Sequence, residues 1–418
     1  MRFETMVKRK VIMAIADGLG DRPHAILENK TPLEYANTPT LDHLATKGIT
    51  GMLDLIGPGT PVGTDMGHLI LFGYEPTHYP GRGPIEAIGI DMPMEAGDVV
   101  FRCNFSTINE NGIVLDRRAG RIREQTEALA KTINEIDLGN GVQAFFKQAT
   151  EHRSVLILRG EGLSDQVSDT DPLAPNDGAP YNLSKALDDT AEAIKTAHSL
   201  NIFLQKAHEV LINHPVNLAR EKDGKFPANF ILTRGAGLLA ELEPMGAKQG
   251  FTGSCIAGEG TVLGVAKLAG FHTVTDISMT GNIDTNIALK AKQALNEIKS
   301  HDIVYVHMKA PDLHGHDNEP FEKAKAIELF DKMVKKIMDA LPDDVYLVLA
   351  ADHSTPCEVG EHTGEPVPVA IYGPSLRVDS VEKYSEIDCA QGGLGRLKGH
   401  EFINTLHDLM GYSKKMGN

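Results

Sequence analysis

Three short apolar runs punctuate the chain: Val11 to Ala16, Ile303 to Met308 and Val345 to Ala351. Each is rich in branched aliphatic residues and bounded by polar or glycine-containing sequence, the pattern of a strand buried on both faces. Each also runs straight into residues able to do chemistry, namely Asp17, then Lys309, Asp312 and His316, then Asp352 and His353. Open α/β sheets collect ligands beyond the carboxyl ends of their strands, so these three ends are predicted to converge. Thr40 to Ala45 reads as a short helix. Phe321, Ala324, Ile327, Phe330, Met333 and Ile337 recur at helical spacing, which predicts an amphipathic helix over Phe321 to Ala340 ahead of the third strand. Strand, helix and strand in this order define a mostly parallel α/β sheet.

The middle of the chain has a different rhythm. Val99 to Thr107, Val155 to Leu158, Asn229 to Leu232 and His272 to Thr275 read as strands, and Glu124 to Ile136, Leu183 to Leu200 and Asn286 to Lys299 as helices. Asp169 to Pro180, Ala219 to Pro227 and Ser278 to Asn282 are turn-rich and read as loops. The expected organisation is a core of residues 1–84 and 301–418 interrupted by a second α/β domain over 85–300.

Composition narrows the classes. A chain of 418 residues with 41% hydrophobic and 23% charged residues can bury a large core, which excludes wholesale disorder. The 57 acidic against 41 basic residues leave a formal charge of −16, which argues against wrapping nucleic acid and means that an anionic substrate needs its own arginines. Cys103, Cys255, Cys357 and Cys389 form no CxxC pair and read as reduced thiols. No apolar segment approaches the roughly 20 residues that cross a bilayer, so a cytoplasmic, membrane-free protein is expected. An amphipathic helix serves an internal sheet or a partner equally well, and periodicity assigns no oligomeric state.

Asp17, Asp312, His316, Asp352, His353 and His362 combine hard carboxylate oxygens with imidazoles, a mixture suited to Mn²⁺ or Zn²⁺, or to Mg²⁺ where carboxylates dominate. Such a set can hold two ions with positions left open for a substrate. The glycine-rich stretch GPGTPVGTDMGHLILFGYEP, Gly57 to Pro76, begins a helix near Asp65 and puts Thr64 at its first turn. Amides there can cradle phosphate while the hydroxyl attacks phosphorus; equally, Thr64 reads as an N-cap bonded to the amide of Gly67. The stretch lacks the Gly-Lys-Ser/Thr ending of a P-loop.

The segments IADGLGDRPHAILENKTPLEYANTPTLDHLA, GTDMGH, GRGPIEAIGI, CNFSTI with DRRAGRI, HRSVLILRGEGLSDQVSDTDP, NFILTRGAG, PDLHGHD and AADHSTP together resemble the archaeal-type 2,3-bisphosphoglycerate-independent phosphoglycerate mutases, over nearly the whole chain. The resemblance implies an alkaline-phosphatase-like core with an inserted domain. It also implies interconversion of 3-phosphoglycerate and 2-phosphoglycerate, without 2,3-bisphosphoglycerate, in glycolysis or gluconeogenesis. Two divalent ions are implied, Mn²⁺ preferred: Asp17, Thr64, Asp352 and His353 are similar to the ligands of one, and Asp312, His316 and His362 to those of the other. Thr64 falls on the phosphorylated hydroxyl, where the family usually has serine; threonine can perform the same attack, but its methyl group opens the question of a different acceptor.

By the same resemblance, His152, Arg153, Arg159, Asp169, Asp171 and Arg234 are expected to hold the phosphoglycerate, because an arginine fork matches a carboxylate or phosphate. A structural salt bridge is the bland alternative for each arginine, including Arg117, Arg118 and Arg121, and a turn before Pro172 is the bland alternative for Asp171. Lys309 is expected to neutralise phosphate in transit, against the commoner solvent-exposed lysine at a strand end. A phosphatase or phosphotransferase acting on another small phosphorylated hydroxyl compound is the alternative enzyme, and a metal-stabilised binding module the non-enzymatic reading.

Overall fold

The computed structural model describes residues 8–173, 178–238, 243–245 and 250–417. Among the described residues fourteen strands form: β1 (Lys10–Ala16), β2 (Ile49–Asp54), β3 (Val99–Ile108), β4 (Val114–Asp116), β5 (Ile136–Gly139), β6 (Val142–Gln148), β7 (Arg153–Arg159), β8 (Phe230–Leu238), β9 (Gly253–Ile256), β10 (His272–Val274), β11 (Ile303–Met308), β12 (Val345–Ala350), β13 (Val367–Tyr372) and β14 (Gly395–Lys398). They divide between two units, one of Met1–Tyr79 with Leu242–Asn418 and one of Pro80–Glu241.

The first unit holds an eight-stranded sheet in the order β10-β9-β11-β1-β12-β13-β2-β14. The three apolar runs lie side by side at its centre, β1 between β11 and β12 and parallel to both. Val11 to Ala16 are wholly buried, as double-sided covering by helices requires. Against this parallel grain, β13 runs antiparallel to β12 and to β2. The predicted amphipathic helix spans Pro320–Met338 and buries Ala324, Ile327, Phe330, Met333 and Ile337. No helix among the described residues is long and apolar enough to cross a membrane.

The inserted unit is smaller than the sequence suggests. Its limits are 80 and 241 rather than 85 and 300, because β9 and β10, with helices Gly260–Leu268 and Ile287–Glu297, extend the large parallel sheet beside β11. Strands this short carry no compositional signature of the sheet they join. The insert's own sheet is antiparallel throughout: β3 pairs with β4, β7 and β8, and β6 joins β7 to β5. One face packs Phe101, Cys103 and Phe105 against Leu200, Phe203, Leu204 and Ala207. These last four belong to the helix Ala191–Leu211, which starts at the Thr190 cap and lies further along than the expected Leu183 to Leu200. Glu124 to Ile136 shortens to a helix over Thr126–Thr132, and a helix over Pro215–Lys222 enters the expected loop at Ala219 to Pro227. Of the loop expected at Asp169 to Pro180, residues 174–177 lie outside the described residues; the rest forms neither helix nor strand. All four cysteines are buried free thiols.

Candidate active site

Within the first unit, the ends of β1, β11 and β12 bring Asp17, Lys309, Asp312, Asp352 and His353 together, and the loop after β12 adds His362. Gly18 allows the turn out of β1: its φ is +62°, and a Cβ there would stand 2.6 Å from both Asp312 Oδ1 and Thr355 Oγ1.

Two ligand groups result. In the first, Asp17, Asp352 and His353 converge with no side-chain exposure. His353 Nε2 lies 3.3 Å from Asp17 Oδ1, 3.3 Å from Asp352 Oδ2 and 3.3 Å from Thr64 Oγ1. Asp352 Oδ2 is buried without a well-aligned hydrogen bond among the described residues. In the second, His316 Nδ1 reaches Gly360 O at 2.9 Å and His362 Nδ1 reaches Val62 O at 2.8 Å. A carbonyl can only accept, so each Nδ1 carries its proton and the ring presents Nε2 inward. The two Nε2 atoms stand 3.2 Å apart and lie 3.4 and 3.5 Å from the oxygens of Asp312. Two imidazole nitrogens facing each other at that distance beside a carboxylate suit a cation, or a proton that one ring lends the other. The residues therefore fit a divalent ion in each group.

Thr64 opens the helix Thr64–Leu71 as its first residue, after the cap at Gly63. The Gly67 amide bonds Gly63 O, so the alternative of a Thr64 cap on Gly67 does not hold. The hydroxyl turns instead to His353 and to Lys309 Nζ, 3.2 Å away. Gly67 is required by close approach, since a Cβ would lie 2.6 Å from Asp352 O. Lys309 is not a solvated strand-end lysine: its ammonium stands 3.0 Å from Asp17 Oδ1 and 2.6 Å from Asp312 Oδ2. Burial and the Asp352 charge press Asp17 towards protonation, yet Lys309 and His307 hold its pKa down to about 2. Burial likewise opposes charge on His353, and Asp352 with Asp17 overturns it, raising the pKa to about 10.

The insert carries a second set, on the sheet face that the helix Arg82–Gly89 leaves partly uncovered. Arg102 on β3 stands opposite Arg234 on β8, and Asn104 opposite Arg153 on β7, so their side chains share one face. Arg102 Nε, Asn104 Oδ1, Arg153 Nε and His152 Nδ1 are buried without hydrogen-bond partners among the described residues, and Glu86 Oε1 stands 3.6 Å from Arg102. Burial, then Arg82, lowers the Arg102 pKa to about 9; burial, then Arg153, lowers that of His152 to about 3. Guanidinium groups that repel one another, with Glu86 as the carboxylate beside Arg102 and a neutral imidazole at hand, are suited to an anion. Arg153, Arg234 and His152 join this set.

Other expected members do not. Arg159 is a structural residue: it grips Asp98 through Nε (2.8 Å) and Nη2 (2.7 Å) and reaches Glu95 at 2.6 Å, which occupies its fork. Asp171 is taken by Arg117, through two bonds of 2.7 Å. Asp169 accepts from the Gly235 amide and so steadies the irregularity in β8 that follows Arg234. Sequence reasoning missed Arg102, His307 and Thr355. For His307 the signal is an imidazole inside a buried strand; for Thr355 it is a hydroxyl two residues past His353.

Fold and site together fit an enzyme class: carboxylates and imidazoles suited to cations surround a hydroxyl and an ammonium at the carboxyl ends of parallel strands, an arrangement that suits chemistry at a charged phosphoryl centre. A family model described as 2,3-bisphosphoglycerate-independent phosphoglycerate mutase matches residues 45–217. The chain is 44% identical over 413 residues to the protein of that name from Methanobrevibacter smithii, covering 98% of this chain and 100% of the relative. It is also 44% identical over 417 residues to the one from Pyrococcus furiosus, covering 99% and 100%. The solved cofactor-independent phosphoglycerate mutase from Thermoplasma acidophilum superposes with a TM-score of 0.69 at 31% identity, covering 96% of this chain and 100% of that one. The PH0037 protein from Pyrococcus horikoshii superposes with a TM-score of 0.86 at 36% identity, covering 99% and 100%. The chain belongs to the 2,3-bisphosphoglycerate-independent phosphoglycerate mutases.

Proposed function

We propose that this enzyme interconverts 3-phosphoglycerate and 2-phosphoglycerate through a phosphothreonine at Thr64, beside two divalent cations with Mn²⁺ preferred. The observation that carries the reading is the Thr64 hydroxyl, within 3.3 Å of both Lys309 and His353 at the start of a helix. Asp17, Asp352 and His353 with Thr64 would hold one cation, and Asp312, His316 and His362 the other. Bound there, the cations supply positive charge that polarises the phosphoryl group and lowers the pKa of the attacking hydroxyl.

The chain's own groups do the rest. Thr64 Oγ1 bonds phosphorus and gives up its proton; the bond from phosphorus to the glycerate oxygen breaks, and that oxygen takes a proton. The retained glycerate then presents its other hydroxyl, which takes the phosphoryl group and returns Thr64 to its free form. Lys309 neutralises charge on the moving group, and the helix N-terminus adds amide donors. Arg102, Arg153 and Arg234 suit the glycerate carboxylate, with His152 as a neutral polar contact.

The test starts from 3-phosphoglycerate without 2,3-bisphosphoglycerate, in metal-free buffer and after separate Mn²⁺, Mg²⁺ or Zn²⁺ addition, following 2-phosphoglycerate and free phosphate together. Metal-dependent 2-phosphoglycerate with little free phosphate is expected, with labelled phosphate trapped on Thr64. Stoichiometric phosphate release would replace the mutase by a phosphatase, and full activity in Thr64→Ala would remove the assigned nucleophile.

A further inference from the structure

Besides the Lys309 ammonium, a buried hydroxyl touches both ligand groups. Thr355 is wholly buried, and its Oγ1 lies 2.6 Å from Asp312 Oδ1 and 3.0 Å from His353 Nδ1. Asp312 belongs to one group and His353 to the other. The hydroxyl has a single proton, and the carboxylate oxygen can only accept it. Thr355 therefore donates to Asp312 and has only a lone pair left for His353, which must in turn carry a proton on Nδ1. That assignment leaves His353 Nε2 to face Asp17, Asp352 and Thr64.

The residue is held so that it cannot turn away. Its amide bonds Gly20 O at 3.0 Å, and its carbonyl accepts from Lys323 Nζ at 2.9 Å. Lys323 is itself buried and paired with Asp21 at 2.9 Å. Gly315 makes room on the other side, where a Cβ would stand 2.9 Å from Thr355 Cγ2.

We propose that Thr355 is a positioning residue shared by both cation sites, its hydroxyl fixing the ring of His353 for one ion and the carboxylate of Asp312 for the other. This rests on the two-cation reading above. A residue with this role affects both sites at once, whereas loss of a ligand such as His362 affects its own site first.

The test uses full-length protein stripped of metal and titrated with Mn²⁺ by calorimetry and by electron paramagnetic resonance, as wild type, Thr355→Val and Thr355→Ser. Valine keeps the shape and removes the hydroxyl; serine keeps the hydroxyl. Thr355→Val is expected to weaken both Mn²⁺ affinities by about tenfold or more, the usual scale for an outer-shell partner, and Thr355→Ser to stay within about threefold of wild type. Wild-type affinities in Thr355→Val, or equal impairment in both variants, would overturn the proposal. Should the valine variant fail to fold, histidine-labelled wild type loaded with Zn²⁺ decides by nitrogen NMR: an Nδ1-protonated His353 supports the proposal and an Nε2-protonated one overturns it. A wild type that binds fewer than two ions would instead defeat the two-cation reading on which it rests.

Discussion

His307 Nε2 lies 2.7 Å from Asp17 Oδ2, so a side chain buried within β11 grips the carboxylate at the end of β1. Burial pushes the His307 pKa down, which leaves a neutral ring with its single proton on the nitrogen facing the carboxylate. Oδ2 is thereby engaged and Oδ1 faces His353 and Lys309. Replacing His307 by Leu is expected to weaken Mn²⁺ binding at this group by about 10- to 100-fold, while His307→Gln, whose amide nitrogen reaches the same place, recovers most of it. Titration calorimetry on the three proteins checks this; equal losses in both variants would show that ring packing, not the donor, matters.

Lys309 is the ammonium that a cation would have to share Asp17 and Asp312 with. Lys309→Met is expected to raise Mn²⁺ affinity on the order of tenfold by relieving that repulsion, and to lower kcat on the order of a hundredfold by removing positive charge beside the transferring group. Binding and single-turnover measurements separate the two effects. Weaker metal binding in the variant would mean that Lys309 gathers the carboxylates instead of competing for them.

Arg102 and Arg159 look alike in sequence, each in a strand among apolar neighbours, and should behave oppositely. Arg102→Met is expected to raise KM for 3-phosphoglycerate by roughly 10- to 100-fold, the worth of about 1.5–3 kcal/mol for a charged hydrogen bond, with unchanged melting. Arg159→Met strands the buried Asp98 carboxylate and is expected to lose about 1–3 kcal/mol of stability with KM unchanged. Steady-state kinetics and urea denaturation together decide it; a KM effect at Arg159 would return that residue to the substrate.

His407 packs against Phe251 with ring centroids 5.3 Å apart, and burial pushes its pKa down to about 4. The unfolded chain takes this proton near pH 6.5, whereas the folded chain refuses it until about pH 4. The unfolded state therefore binds more protons across that window, and stability falls as pH drops through it, by up to about 3 kcal/mol. His407→Phe is expected to flatten that part of the stability curve, as urea midpoints between pH 4 and 7 would show; an unchanged slope would place the effect in other groups.

The residues legible in the sequence are those whose chemistry is tied to a local pattern. Asp17, Asp312, Asp352 and His353 follow buried runs that could only be central strands, so their convergence came with the fold. His362 and Thr64 stand out as candidates by residue type and by a glycine-rich run into a helix, but only the resemblance divides the ligands between two ions and settles Thr64 as the attacking hydroxyl over a cap. Partnerships across the chain were hidden: Arg159 is neutralised by Asp98 and Glu95, 61 and 64 residues away, and nothing near it in sequence says so. Arg102 escaped notice for the converse reason, since only pairing between β3 and β8 puts it opposite Arg234. The antiparallel β13 and the extension of the large sheet through β9 and β10 are likewise settled by strand neighbours, not by composition.

The position of β1 has a bearing on how the chain is made. Its partners are β11 and β12, with Val11 paired to Ile303 and Lys10 to Val345, so a strand completed early in synthesis must wait for nearly three hundred residues to leave the ribosome. The insert, continuous from 80 to 241 and built from antiparallel neighbours, has all its partners much sooner. Translation thus delivers a finished insert while Asp17 and Thr64 are still on an open chain, and the catalytic sheet closes last, with high contact order and exposed apolar edges until it does.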